Sequence, residues 1–246
     1  MSKLNFAIQL YSVRQELAED FPGTLDALRK IGFEAVELAF FYGGMQPEAL
    51  AKLLAEKSLP VCGIYEKAEN LADPKAQVYA YAKALNCRYL TLGFSQESLQ
   101  NDFQGCLALL KDAVRSAAEN HCQVCYHAHA HEFAKLDQHS YLEHLLNETE
   151  GLLYEADTAW IHAGGEKVVP HLQQWAKIIP LLHLKDLDEN GKITELGNGV
   201  IDFAAVIQTA RKHGLHWLSY EQDYSSMGAL KSAEVSHQHI REILTA

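Results

Sequence analysis

No run of apolar residues in this chain approaches the roughly 20 needed to cross a bilayer, so no membrane-spanning helix is expected. Basic residues are scarce as well. With 21 Lys and Arg against 32 Asp and Glu, the net charge of −11 argues against non-specific binding to a nucleic-acid backbone or an anionic membrane. The opening stretch MSKLNFAIQLYSVRQ lacks an apolar core followed by a small-residue cleavage site, so nothing in it marks export and a cytoplasmic location is expected. The five cysteines are odd in number and scattered at 62, 87, 106, 122 and 125, unlike the framework of a disulfide-stapled secreted domain. They are read as reduced thiols. Cys122 and Cys125 form a CxxC, but it runs into the strand-like QVCYH rather than opening a helix whose dipole would stabilise a thiolate, so packing is the expected role. Linkers rich in Pro, Gly or Ser are missing too, and residues 1–246 are read as one domain.

What is present is a rhythm. Short apolar or β-branched runs, FAIQL, AVELA, PVCGIY, RYLTLG, QVCYHAH, GLLYEAD, PLLHLKD and HWLSYEQD, recur along the chain, and helical spacing follows them. The segments PGTLDALRKIG (22–32), PEALAKLLAEKS (47–58) and FAAVIQTARKHG (203–214) carry the helix grammar of a proline near the start or a glycine at the end. Strands that alternate with helices need crossovers and therefore pair in parallel. Eight such units in 246 residues predict an α/β fold of the closed (β/α)8 barrel type. The open doubly wound sheet would carry a glycine-rich phosphate turn after its first strand, and IQLYSVRQE has none.

Barrels of this type build their sites at the C-terminal ends of the strands. Here the second half is loaded: His127 to Glu132 after strand five, Asp157 after six, His183, Lys185 and Asp186 after seven, Glu221 and Asp223 after eight. In the run YHAHAHEF, a strand that stayed regular would point His127, His129 and His131 one way and Glu132 the other. Glu132, Asp157, His183 and Glu221 together would offer three carboxylates and one imidazole to a divalent ion, Mn²⁺, Mg²⁺, Co²⁺ or Zn²⁺. Without a cation, three carboxylates would repel one another. The bland counterpart is an ion-pair cluster around Lys185.

The motifs IQLYSVR, GFEAVELA, YHAHAHEF, EADTAW, LLHLKD, LGNGVIDF and LSYEQD, in this order from residue 6 to about residue 223, resemble the xylose isomerase-like barrel superfamily, specifically its sugar phosphate isomerase/epimerase branch. The resemblance implies a metal held by Glu132, Asp157, His183 and Glu221. It also implies that Glu132 and Glu221 act as the acid/base pair on opposite sides of a sugar or keto-polyol, through a metal-stabilised enediolate. The family usually reads YHNHxxEF, so Ala128 replaces an asparagine and His131 occupies a variable position, expected to be a loop histidine without a role.

His127 is expected to hydrogen-bond or protonate a substrate oxygen, and Lys185 to stabilise negative charge or to pair with a carboxylate such as Asp157. His129 is assigned to the substrate; Trp160 is read as a pocket wall or a packed rim residue, and Glu66, with Lys67, as a substrate contact or, by preference, a solvated loop. Tyr11 and Arg14 stay open between the same alternatives. LGNGVID offers glycines but no arginine, and a turn leading into a helix is its economical account, which favours a non-phosphorylated substrate. The rivals are a metal-dependent dehydratase or lyase on the same barrel and a sugar-binding barrel without chemistry. An apurinic-site endonuclease is disfavoured by Trp160, which stands where that relative has a histidine, and by the acidic charge. The resemblance also makes a homodimer an expectation.

Overall fold

The computed structural model describes Leu4–Thr245; Met1–Lys3, at the head of the N-terminal stretch, and Ala246 lie outside the described residues. Eight strands form the wall: β1 Asn5–Gln9, β2 Ala35–Ala39, β3 Val61–Tyr65, β4 Tyr89–Leu92, β5 Gln123–His127, β6 Leu153–Asp157, β7 Leu181–Leu184 and β8 Trp217–Tyr220. Each pairs in parallel with its sequence neighbours, and β1 closes on β8, so the sheet has no free edge. The closed barrel is the architecture predicted from the rhythm. Between the strands run helices whose ends follow from their residues. Over Phe21–Ile31, the Asp20 carboxylate accepts from the Gly23 amide at 2.9 Å, Pro22 sits in the first turn, and Gly32 closes the helix at φ 118°.

The apolar core lies between wall and helices, where residues such as Phe6, Ile8, Val36, Leu38, Leu90, Val124 and Leu182 are fully or almost fully buried. Within the barrel, Ala7, Ala35, Cys62, Cys125 and Leu181 form a second, smaller apolar cluster. All five cysteines are buried and free, and burial pushes the Cys122 and Cys125 thiols up, away from the thiolate that redox chemistry needs. Among the described residues, no helix is long and apolar enough to cross a membrane.

After β7 the chain makes a two-residue antiparallel ribbon, Asp186–Leu187 against Ile193–Thr194. It then folds LGNGVID back onto Asp186. That buried carboxylate accepts from the amides of Leu187 (3.0 Å), Gly197 (2.9 Å), Gly199 (3.0 Å) and Ile201 (3.1 Å). A Cβ on Gly199 would stand 2.2 Å from the Leu187 carbonyl oxygen, so only glycine fits there. Asp202 then caps Phe203–His213 through the Ala205 amide at 3.0 Å. The glycines thus serve a turn leading into a helix, and their amides are already taken by an internal anion.

Candidate metal and substrate site

A strand turns alternate residues to the same face, and β6 to β8 use this to stack apolar residues below polar ones. Leu153, Leu181 and Trp217 belong to the small apolar cluster or pack against it. Two residues further along each strand come Glu155, His183 and Ser219, all fully buried, and two beyond those come Asp157, Lys185 and Glu221 at the mouth. The register sets Asp157 opposite His183, and His183 opposite Ser219, across neighbouring strands. Ligand atoms of His127, Asp157, His183 and Glu221 consequently lie within 4.8 Å of one another, every one of these residues buried.

Three of the four expected ligands, Asp157, His183 and Glu221, are therefore brought together with His127, while Glu132 falls in another group. The reason is local. β5 ends at His127, and Ala130–Phe133 winds into a single 3-10 turn, so the alternation extrapolated from YHAHAHEF stops before His129. Glu132 turns back under this loop. Its Oε1 accepts from the Tyr126 hydroxyl at 2.8 Å, its Oε2 accepts from the His129 amide at 2.9 Å, and His131 Nε2 lies 3.2 Å from Oε1. His129, His131 and Glu132 form a separate group of close donors. His131 also reaches the Phe94 carbonyl oxygen at 3.1 Å, so it ties two loops together.

Beneath the four sits a layer that the sequence reading passed over. His183 Nδ1 lies 2.9 Å from Glu221 Oε2, while its Nε2 lies 2.8 Å from Glu37 Oε2 and 3.4 Å from Glu155 Oε2. Gln9 holds the other Glu37 oxygen at 2.9 Å, and the Thr91 hydroxyl donates to Glu155 at 3.2 Å. Glu155 Oε2 also stands 3.3 Å from His127 Nδ1. Both glutamates occupy the middle of five-residue strands that are otherwise apolar at their centres, AVELA and LYEAD. A charge in the middle of a strand covered on both faces was the available signal.

Burial pushes Glu155 well up, and the neighbouring Glu37 carboxylate adds to it. For Glu37 burial acts in the same direction, but the charge and hydrogen bond of His183 outweigh it and leave the carboxyl below its usual range. Burial disfavours a charged His183, yet Glu155, Glu37 and Glu221 raise it well above the ordinary imidazole range. Glu221 behaves likewise: burial raises it, and Lys185 with His183 bring it well below the carboxylate range. His127 and His129 go the other way. Burial first, then the neighbouring His183, lowers His127, and burial with His127 lowers His129 to about 4, so both rings are neutral near pH 7.

Lys185 is buried at the centre of the mouth, with Nζ 2.9 Å from Glu221, 2.9 Å from Asp223 and 3.6 Å from Asp157, and 4.9 Å above the Trp160 ring. Burial alone would lower it, but these carboxylates hold it charged. Both roles considered for Lys185 are compatible with this position. Asp157 also caps Thr158–Ala163 through the amides of Ala159 and Trp160, leaving its second oxygen to face the cluster.

Two adjoining clefts open over these groups. One, of about 220 Å³, is lined by Gln9, Tyr11, Tyr65, His127, Glu221 and Asp223 among others. The other, of about 520 Å³, is walled by Tyr65, Phe94, Gln96, His129, His131 and Trp160 among others. Tyr65 and His129 belong to both. His129 and Trp160 thus line the larger cleft. Arg14 lies over the Tyr11 ring at 4.1 Å and donates to the Tyr11 and Asp223 carbonyl oxygens, bracing the rim. Glu66 does not join the lining and is not a solvated loop residue. It is buried and accepts from the Tyr42 hydroxyl at 3.0 Å, the Lys67 amide at 2.8 Å and the Asn70 amide group at 3.1 Å.

The sequence profile of a family described as xylose isomerase-like TIM barrel matches residues 25–243. No curated protein sequence matches the chain. Among solved structures, a sugar phosphate isomerase/epimerase from Parabacteroides distasonis superposes with a TM-score of 0.82 at 17% identity, over 97% of this chain and 98% of that one. A probable 3-DHS dehydratase involved in petrobactin synthesis, from Bacillus anthracis, gives 0.75 at 17% identity, over 97% and 99%. The IOLI protein with a binding zinc atom gives 0.72 at 12% identity, over 98% of each chain. At these identities the likeness shows a shared fold.

Proposed function

The chain belongs to the xylose isomerase-like TIM barrel family, and from that premise we propose that it is a divalent-metal-dependent isomerase or epimerase of a non-phosphorylated sugar or keto-polyol. The observation that carries this reading is the convergence of His127, Asp157, His183 and Glu221 within 4.8 Å at the barrel mouth. Two imidazoles and two carboxylates are a donor set that suits Mn²⁺, Co²⁺ or Zn²⁺ better than Mg²⁺, which prefers oxygen throughout. Asp157 Oδ2 is buried without a hydrogen-bond partner among the described residues, which fits an atom shaped for a further ligand. A bound divalent ion would supply Lewis acidity to a carbonyl and its neighbouring hydroxyl.

The protein's own groups do the rest. Glu221, kept ionised by Lys185 and His183, accepts the proton removed from the carbon next to the carbonyl and returns it to the neighbouring carbon, the one-base route of an isomerase. Lys185, held charged at 2.9 Å from Glu221, offers N–H groups to a substrate oxygen that gains negative charge. Neutral His129, shared by both clefts, hydrogen-bonds a hydroxyl. Glu132 is assigned a different task from the acid/base role its motif suggested: with both oxygens engaged, it fixes the turn that carries His129 and His131. The Asp186 turn supports the non-phosphorylated substrate, since the glycine amides that could cradle a phosphate already serve a carboxylate.

The test is elemental analysis of protein purified without chelator, followed by deuterium exchange into a panel of ketoses and keto-polyols. About one Mn²⁺, Co²⁺ or Zn²⁺ per chain is expected, with carbon-bound exchange that stops in Glu221→Gln. A protein that takes up none of these metals, even when each is supplied, overturns the proposal.

A further inference from the structure

The two clefts are unequal in a way that bears on the size of the substrate. The one that reaches His127 and Glu221 has about 220 Å³, below the roughly 300–1,000 Å³ usual for small-molecule sites. The adjoining one, about 520 Å³, lies inside that range but touches none of the four converging donors. A free monosaccharide held by its carbonyl at those donors would leave this larger space to water.

The walls say what kind of group would occupy it. Tyr65, Phe94 and Trp160 bring three aromatic rings to its lining, with His129 and His131 stacked nearly parallel, centroids 5.6 Å apart and planes 10° from each other. Flat, partly apolar walls of this kind suit the face of a ring. Ser95 and Gln96, both exposed, add polar atoms at the rim. Among the described residues lining the cleft there is no Lys, Arg, Asp or Glu, which disfavours a phosphate, an ammonium or a carboxylate as its occupant. His131, which burial alone would lower but Glu132 and the Phe94 carbonyl raise, has its Nε2 turned to those two partners.

We propose that the substrate is a two-ring molecule, a sugar joined to a second neutral ring, with the reacting sugar in the smaller cleft and the second ring between Phe94 and Trp160. This inference rests on the isomerase/epimerase reading for the reacting end. It adds a chemical constraint. A glycosidic link locks the anomeric carbon as an acetal, so the carbonyl beside which a proton is removed must be a ketone elsewhere in the sugar ring. Tyr65 and His129, common to both clefts, then flank the link between the rings and decide which substrates span it.

The test compares binding of a free hexose with its phenyl glycoside and its disaccharide, for the gluco, galacto and manno series, on the Mn²⁺-supplemented protein. Affinity is read by calorimetry, and the contacted protons by saturation-transfer NMR. At least one phenyl glycoside or disaccharide is expected to bind ten times or more tighter than its parent hexose, with saturation strongest on the second ring. Gln96→Trp, a change at an exposed position that narrows the larger cleft, should abolish that preference while leaving the thermal midpoint and the metal content unchanged. Equal affinity for hexose and two-ring ligands, no binding by any of them, or a preference that survives in Gln96→Trp would overturn the proposal. Failure to take up any divalent metal would instead remove the reaction and leave a two-ring-binding barrel, so the two outcomes separate.

Discussion

Nε2 of His183 lies 2.8 Å from Oε2 of Glu37, from the far side of the barrel interior, and solvent reaches neither side chain. The other ring nitrogen, Nδ1, faces Glu221 and the mouth at 2.9 Å. A histidine ligand whose second nitrogen is held by a carboxylate has its tautomer and ring orientation fixed and its basicity raised. Gln9 in turn holds Glu37 at 2.9 Å, so the chain of contacts runs from β1 through β2 to β7.

Glu37→Gln should therefore fold and keep a bound ion, but with metal affinity lowered roughly 10- to 100-fold. Calorimetric titration with Mn²⁺ or Zn²⁺ checks it. Unchanged affinity in a folded variant would reduce Glu37 to a filler of the barrel interior.

The proposed site gives His127 the ligand place that the motif gives to Glu132, and two substitutions separate these readings. His127→Ala should lose most of the bound metal. Glu132→Ala should retain it, but leave the Tyr126 hydroxyl and the His129 amide without their acceptor, at a cost of about 1–3 kcal/mol in denaturant unfolding. Metal loss in Glu132→Ala with retention in His127→Ala would restore the ligand set that the motif alone implies.

The difference shows where the sequence was legible. Strand-helix alternation predicted the closed barrel, and the positions of Asp157, His183 and Glu221 at the ends of β6, β7 and β8 followed from it, because a strand's period of two is rigid. The alternation carried beyond His127 failed, since Ala130–Phe133 is a 3-10 turn and periodicity has no hold there. Glu66 was misread for a similar reason: which neighbours a loop carboxylate finds, here Tyr42 and Asn70, depends on chain brought in from elsewhere. Glu37 and Glu155 were in plain view within strands, but AVELA and LYEAD were read only as apolar runs.

Asp186 tests the account of the glycine-rich turn. Its carboxylate accepts from four backbone amides across LGNGVID, and no water replaces them at a residue with 0% exposure. Asp186→Ala should destabilise the protein by on the order of 3–5 kcal/mol. Inorganic phosphate should fail to shift the melting temperature of the wild type. Stabilisation by millimolar phosphate would mean that this turn, or another site, holds an anion after all.

His171 makes a prediction far from the chemistry. Buried among the rings of Phe133 and Tyr154, with Nε2 lacking a hydrogen-bond partner among the described residues, it is pushed down by burial to about 4, against a small opposing pull from Glu143. In the unfolded chain the same ring titrates near its ordinary value of 6.5. As pH falls from about 6.5 to about 4, the unfolded state takes up a proton that the folded state refuses, so stability is present above this window and lost across it. The loss is on the order of 3 kcal/mol for a shift of this size. His171→Phe keeps a flat ring against Phe133 and Tyr154 but cannot titrate, so its stability should fall less steeply than that of the wild type between pH 7 and pH 4. His129 and His237 are lowered too and remain in both proteins, which makes the difference between the two urea-unfolding curves the quantity to read. Parallel acid slopes would show that His171 gains its proton without unfolding, through an opening of Val168–Trp175 that lets water reach the ring.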